Sequence, residues 1–127
     1  MSNEITGALR GGRLDLLKQR LLRTLADVDQ TISPHGQTPL FLASNLGHIH
    51  IVEWLVWKCR ANVNKPGSMR ASNPLFTASW EGHLDVVKCL VAAGANLNTP
   101  RPDTGPTPLY IASYEGQLDV VKYLVAA

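Results

Sequence analysis

The amino-acid sequence predicts an all-α solenoid, built from helix-turn-helix pairs stacked side by side. Three observations predict it. The stretch NPLFTASWEGHLDVVKCLVAA, which begins at Asn73, returns as TPLYIASYEGQLDVVKYLVAA from Thr107, with fifteen of the twenty-one positions identical. The same frame, more loosely kept, is present upstream, so that Leu40, Leu75 and Leu109 follow one another at 35 and 34 residues. Within each unit the apolar residues fall on one helical face: Val86, Val87, Leu90 and Val91 are the example. One short helix pair cannot bury such a face alone, whereas neighbours stacked at this period can.

The elements follow in order. The first unit, residues 1–34, is degenerate: Ala8 and Gly12 stand at the small-residue and glycine positions, and RLDLLKQRLL parallels HLDVVKCLV. Its Arg10, Arg13, Lys18, Arg20 and Arg23 give it a polar, basic character suited to a solvated cap. The next units take residues 35–70, 71–104 and 105–127. In each of these, the first helix is opened by an N-cap residue, Thr38, Asn73 or Thr107, whose side-chain oxygen can accept from an orphan N–H of the first turn. Proline follows at 39, 74 and 108, where its missing donor costs nothing. Glycine at 47, 82 and 116 ends the helix after about two turns, where a left-handed residue is wanted. The second helix then carries IHIVEWLV, LDVVKCLV or LDVVKYLV. Gly94–Ala95–Asn96 stops that helix in the third unit, while the second unit has one further residue near Cys59–Arg60, which predicts a different ending. Trp54, Cys89 and Tyr123 share one second-helix position and are expected to fill the layer between units. Trp57 is expected on the convex side, as a hint of a second contact.

The bulk numbers narrow the class. The chain has 127 residues, enough for one domain. An apolar content of 45% with 17% charged residues fits a folded chain, and a net charge of +2 gives no strong pull toward nucleic acid or an anionic membrane. MSNEITGALRGG lacks the apolar core of a signal peptide, and IVEWLVW is too short to span a bilayer and contains Glu53. Cys59 and Cys89 are too few for a disulfide framework and are read as free thiols. An intracellular location, cytoplasmic or nuclear, is the expectation.

GQTPLFLASNLGHIHIVEWLV, NPLFTASWEGHLDVVKCLVAAGANLN and GPTPLYIASYEGQLDVVKYLV resemble ankyrin repeats, whose T-P-L-H-x-A signature they share except at the histidine. Phe41, Phe76 and Tyr110 stand there instead. Each inter-unit loop is also one residue longer than the family norm. The resemblance implies a curved stack with loops projecting from one edge, no catalysis, no cofactor, and a concave face that binds a partner protein or peptide as a scaffold, adaptor or substrate-recognition part. Carried over by register, that face holds Leu42, Asn45 and Leu46, then Thr77, Trp80 and Glu81, then Ile111, Tyr114 and Glu115. Loop positions His35, Gln37, Met69, Arg70, Ser72, Thr104 and Pro106 lie beside it. Trp80 and Tyr114 in equivalent positions, each followed by a glutamate, suit a peptide with apolar anchors and a basic residue. The other reading of Trp80 is packing on Phe76, one turn earlier. The resemblance also makes Asn98, eight residues after Leu90, a candidate for asparaginyl hydroxylation.

Other chemistry is weaker. His48 and His50 have no cysteine or carboxylate cluster to complete a zinc site. Ser79, His83 and Asp85 recur by register as Ser113, Gln117 and Asp119, which marks them as frame residues rather than a triad. The basic first unit leaves an alternative function, contact with nucleic acid or an acidic surface. The chain stops at Ala127, where the pattern would continue with Gly-Ala-Asn, and its last helix has no polar replacement. A longer array, or a monomer that weakly self-associates through this edge, is therefore expected.

Overall fold

The computed structural model describes residues 2–24, 27–32, 36–66, 72–97 and 107–127, and it is helical throughout, with no strand among the described residues. The helices are α1 (Ser2–Arg10), α2 (Leu14–Thr24), α3 (Pro39–Leu46), α4 (Ile49–Glu53), α5 (Pro74–Glu81), α6 (Leu84–Ala92), α7 (Pro108–Tyr114) and α8 (Leu118–Ala126). They pair as α1 with α2, α3 with α4, α5 with α6 and α7 with α8. The first helices α1, α3, α5 and α7 neighbour one another in a row, and α4, α6 and α8 form a second row behind them. No described helix is long and apolar enough to cross a membrane.

The caps form as their chemistry requires. Thr38, Asn73 and Thr107 sit in extended backbone and accept from the amides of Phe41, Phe76 and Tyr110 at 3.1, 2.8 and 3.2 Å. Gly47 and Gly82 end α3 and α5 at φ of 79° and 77°, in the left-handed region that side chains avoid. The apolar face behind them is continuous: Leu40, Leu42, Leu55, Leu75, Val87, Leu90 and Val120 are among its enclosed members. Leu109 departs from the row of Leu40 and Leu75, being 36% exposed, because no unit covers α7 on that side.

The second unit ends differently from the third, as its extra residue predicts. After Glu53 the α-helix passes into a π-helical turn, Trp54–Lys58, in which the Cys59 amide reaches back to the Trp54 carbonyl at 3.1 Å. One residue is thereby absorbed in the helix. The Ala61 amide then bonds the Leu55 carbonyl, as Ala95 bonds that of Leu90 in the third unit. Arg60 is left at φ 58°, where the third unit places Gly94.

Polar side chains tie each unit to the one before. His48 donates from Nε2 to the Arg10 carbonyl at 3.4 Å, His83 to that of Asn45 at 3.0 Å, and Gln117 from Nε2 to that of Trp80 at 3.0 Å. A carbonyl can only accept, so Nε2 is the donor in both imidazoles. Each of these side chains lies over the glycine of the earlier unit, Gly12, Gly47 or Gly82. A second ladder runs along the loops, with the Asn62 amide on Asp29 Oδ1 and the Asn96 amide on Asn64 Oδ1. The shared layer position behaves as expected: Trp54, Cys89 and Tyr123 are half-buried against the core. Lys18 of the first unit lies over Trp54, and Lys88 of the third lies over Tyr123, each 5.8 Å from the ring centroid.

Candidate functional site

A stacked first helix has neighbours on both flanks and a second helix behind it, so only a narrow strip is left to solvent. The strip is the last turn of the helix, just before the glycine. In register it consists of Asn45 and Leu46 on α3, Trp80 and Glu81 on α5, and Tyr114 and Glu115 at the end of α7. Asn45 and Leu46 are half-buried, whereas both aromatics and both glutamates are exposed.

Three residues expected on this surface are not on it. Leu42, Thr77 and Ile111 are buried. They lie a turn earlier than the strip, where the neighbouring first helix closes over them. Thr77 has a cross-unit partner instead, since Asn45 Nδ2 donates to its Oγ1 at 2.8 Å. These three side chains therefore belong to the frame. Gln37 is half-buried and Ser72 buried, while His35, Met69, Arg70, Asn98, Thr104 and Pro106 lie outside the described residues.

The two aromatics share the strip but differ in support. Trp80 meets Phe76 edge-on, with centroids 5.9 Å apart and planes at 78°, and still leaves 39% of its surface exposed. Packing on Phe76 and a free outer face thus coexist. Tyr114 stacks on Tyr110 at 6.4 Å with planes 16° apart, and is 75% exposed. The backbone beneath the strip is pinned by the next unit, through His83 on the Asn45 carbonyl and Gln117 on the Trp80 carbonyl. Asn45, by contrast, has its amide committed to Thr77.

One member of the row was not foreseen. Arg10 is exposed at the position equivalent to Asn45, Trp80 and Tyr114, and its carbonyl accepts from His48 as those of Asn45 and Trp80 accept from the units after them. The interval from Gly12 to Gly47 contained that signal. The strip thus runs from a cation at its first unit to aromatics and carboxylates at its third and fourth.

The remaining candidates are occupied by structural work. Arg20 pairs with Glu4 at 2.7 Å and Arg13 with Asp15 at 3.4 Å, and Lys18 lies over Trp54, so these three basic residues of the first unit are each engaged within the chain, while the side chain of Arg23 lies outside the described residues. The Arg13 hydrogen bond holds the Asp15 carboxyl below its ordinary range. His83 faces Asn45, Asp85 accepts from the Val86 amide, and the buried Ser79 hydroxyl has no partner among the described residues, so the three do not converge. His50 approaches Glu53 at 3.7 Å, while His48 points to Arg10. Among the described residues no group of three or more His, Cys, Asp or Glu could hold a metal ion.

Both thiols are free and half-buried. Burial pushes the Cys59 thiol up, opposed in part by the Lys18 charge. Burial also raises Cys89, helped by the charges of Glu53 and Asp85, against a hydrogen bond from Trp57.

Comparison with known families agrees with the architecture. The family model described as ankyrin repeats, in three copies, matches residues 62–127, and that of the single ankyrin repeat matches residues 35–68. A search among curated proteins finds none that matches the chain.

Proposed function

We propose, from the premise that this chain belongs to the ankyrin repeat family, that it binds a partner protein through the strip of Trp80, Glu81, Tyr114 and Glu115. Ankyrin repeats are in general protein–protein interaction modules. The finer reading is a scaffold, adaptor or substrate-recognition part, without catalysis of its own. One observation carries it: two aromatic side chains stand exposed in register, each packed on the aromatic one turn earlier, and the backbone under Trp80 is held by Gln117 of the next unit. A surface ordered beforehand loses little freedom on binding, and aromatic anchors most often dominate interface energies. The glutamate after each aromatic selects a basic residue in the partner, placed beside apolar ones.

The test is selection of a random peptide library on the wild-type chain, with affinities then measured for the selected peptides. Peptides with a Lys or Arg flanked by apolar residues are expected. Trp80→Ala combined with Tyr114→Ala should weaken them by about 30-fold or more, since a hot-spot truncation costs about 2 kcal/mol. Charge reversal at Arg13 should leave them unchanged. Undiminished binding by the double variant removes the strip from the interface, and binding lost only with Arg13→Glu moves the function to the first unit.

A further inference from the structure

A second site lies away from the strip, where the second unit breaks the repeat pattern. The π-helical turn and the chain that follows it open a pocket of about 350 Å³, lined by Val56, Trp57, Arg60, Ala61, Val63 and Ala93. No first-helix residue takes part. Its volume is within the range of small ligand sites.

Three features separate this pocket from a packing fault. Trp57 is 51% exposed, although the same position of the third unit is Ala92. Arg60 occupies the left-handed region at φ 58°, which is unfavourable for a side-chain-bearing residue, where Gly94 performs the same backbone task at φ 93°. A glycine there would relieve the strain. Finally, the charge is one-sided: among the described residues Arg60 is the only charged member of the lining and no carboxylate joins it, while Lys58 is exposed close by in sequence.

We propose that this pocket receives an acidic segment of a partner protein, with an aliphatic side chain against the Trp57 indole and the neighbouring carboxylate on the Arg60 guanidinium. The pairing follows from the lining: apolar walls take the hydrocarbon, and a planar guanidinium matches a carboxylate in two parallel hydrogen bonds. This site is independent of the strip and would bind a partner of opposite charge character.

The probe is the tripeptide acetyl-Leu-Glu-Leu amide, titrated into the full chain and followed by amide and indole chemical shifts. Shifts confined to Trp57, Arg60, Ala61, Val63 and Ala93 are expected. The Gln counterpart should bind about tenfold more weakly, as befits loss of one charge-assisted contact. Arg60→Gly should melt at or above the wild-type temperature and bind the Glu and Gln peptides alike, so its loss of preference cannot come from misfolding. Trp57→Ala should weaken both peptides equally. Absence of shifts at these residues, equal affinity of the two peptides for the wild type, or a preference that survives Arg60→Gly would each overturn the proposal. Inorganic phosphate binding at the same residues more tightly than the Glu peptide would overturn it too, by making the occupant a phosphorylated segment.

Discussion

The outer flank of the third unit and the outer flank of the fourth are written with nearly the same residues, yet they exist in different surroundings. On the third, Phe76 is 3% exposed, Leu75 is fully enclosed, and Gly82 lies under the Gln117 side chain. On the fourth, Tyr110 is 58% exposed, Leu109 and Leu118 face outward, and nothing lies within 4 Å of where a side chain on Gly116 would begin. The N-caps and the second helices correspond in both, and the first helices differ only by one residue at the end, Glu81 against Tyr114. Local sequence therefore makes the helix pair, while the neighbour determines what that pair buries. In a stack of this kind, stability resides largely at the junctions.

The comparison yields predictions of decreasing size. Leu75→Ala removes a side chain enclosed on all sides and should cost about 3 kcal/mol, whereas Leu109→Ala should cost about 1 kcal/mol. Urea denaturation followed by circular dichroism measures both, and equal costs would mean that α7 is covered in solution. Next come the glycines. Alanine at Gly116 suffers only its left-handed backbone, about 1 kcal/mol. Alanine at Gly82 has the same strain and also brings its Cβ to 2.3 Å from Gln117 Oε1, displacing the bond to the Trp80 carbonyl, for a total of about 2 kcal/mol. The gap should close in a Gln117→Ala background, which a double-mutant cycle would reveal.

The smallest effect concerns the junction between the second and third units. There Glu53 stands where the flanking units place Lys18 and Lys88, and its charge helps to raise the Cys89 thiol. A raised thiol pKa leaves less thiolate at a given pH, so both cysteines should react with a disulfide reagent more slowly than free cysteine at pH 8 and catch up as the pH rises. Glu53→Lys should move the labelling curve of Cys89 to lower pH and leave that of Cys59 in place. Mass spectrometry of the labelled peptides distinguishes the two sites.

Much of the fold was legible because its signals are local. A cap oxygen, a proline behind it and a glycine two turns later specify α3, α5 and α7 with no reference to the rest of the chain, and the structure places each where those residues require. The extra residue near Cys59 was visible too, although hydrophobic spacing alone does not say that a π-helical turn absorbs it. The candidate surface was legible only in part. Trp80, Glu81, Tyr114 and Glu115 are exposed because they close their helices, while Leu42, Thr77 and Ile111 are covered by a neighbouring unit, a fact no single repeat contains. Thr77 misleads most: a polar residue that varies between units reads as surface, yet its hydroxyl is needed by Asn45 across the junction. Arg10 was missed for another reason: Gly12 sets its register, but the basic first unit reads as a solvated cap rather than as part of the row.

The reach of His48, His83 and Gln117 over the preceding glycines has a consequence for how such a chain can change over generations. Neither half of each couple is free to drift: a bulkier residue at Gly47 evicts His83, and a shortened His83 strands the Asn45 carbonyl. Inheritance here acts on couples spanning two units, and a duplicated unit can slot into the array without new adjustments only if it brings both the bare backbone and the reaching arm.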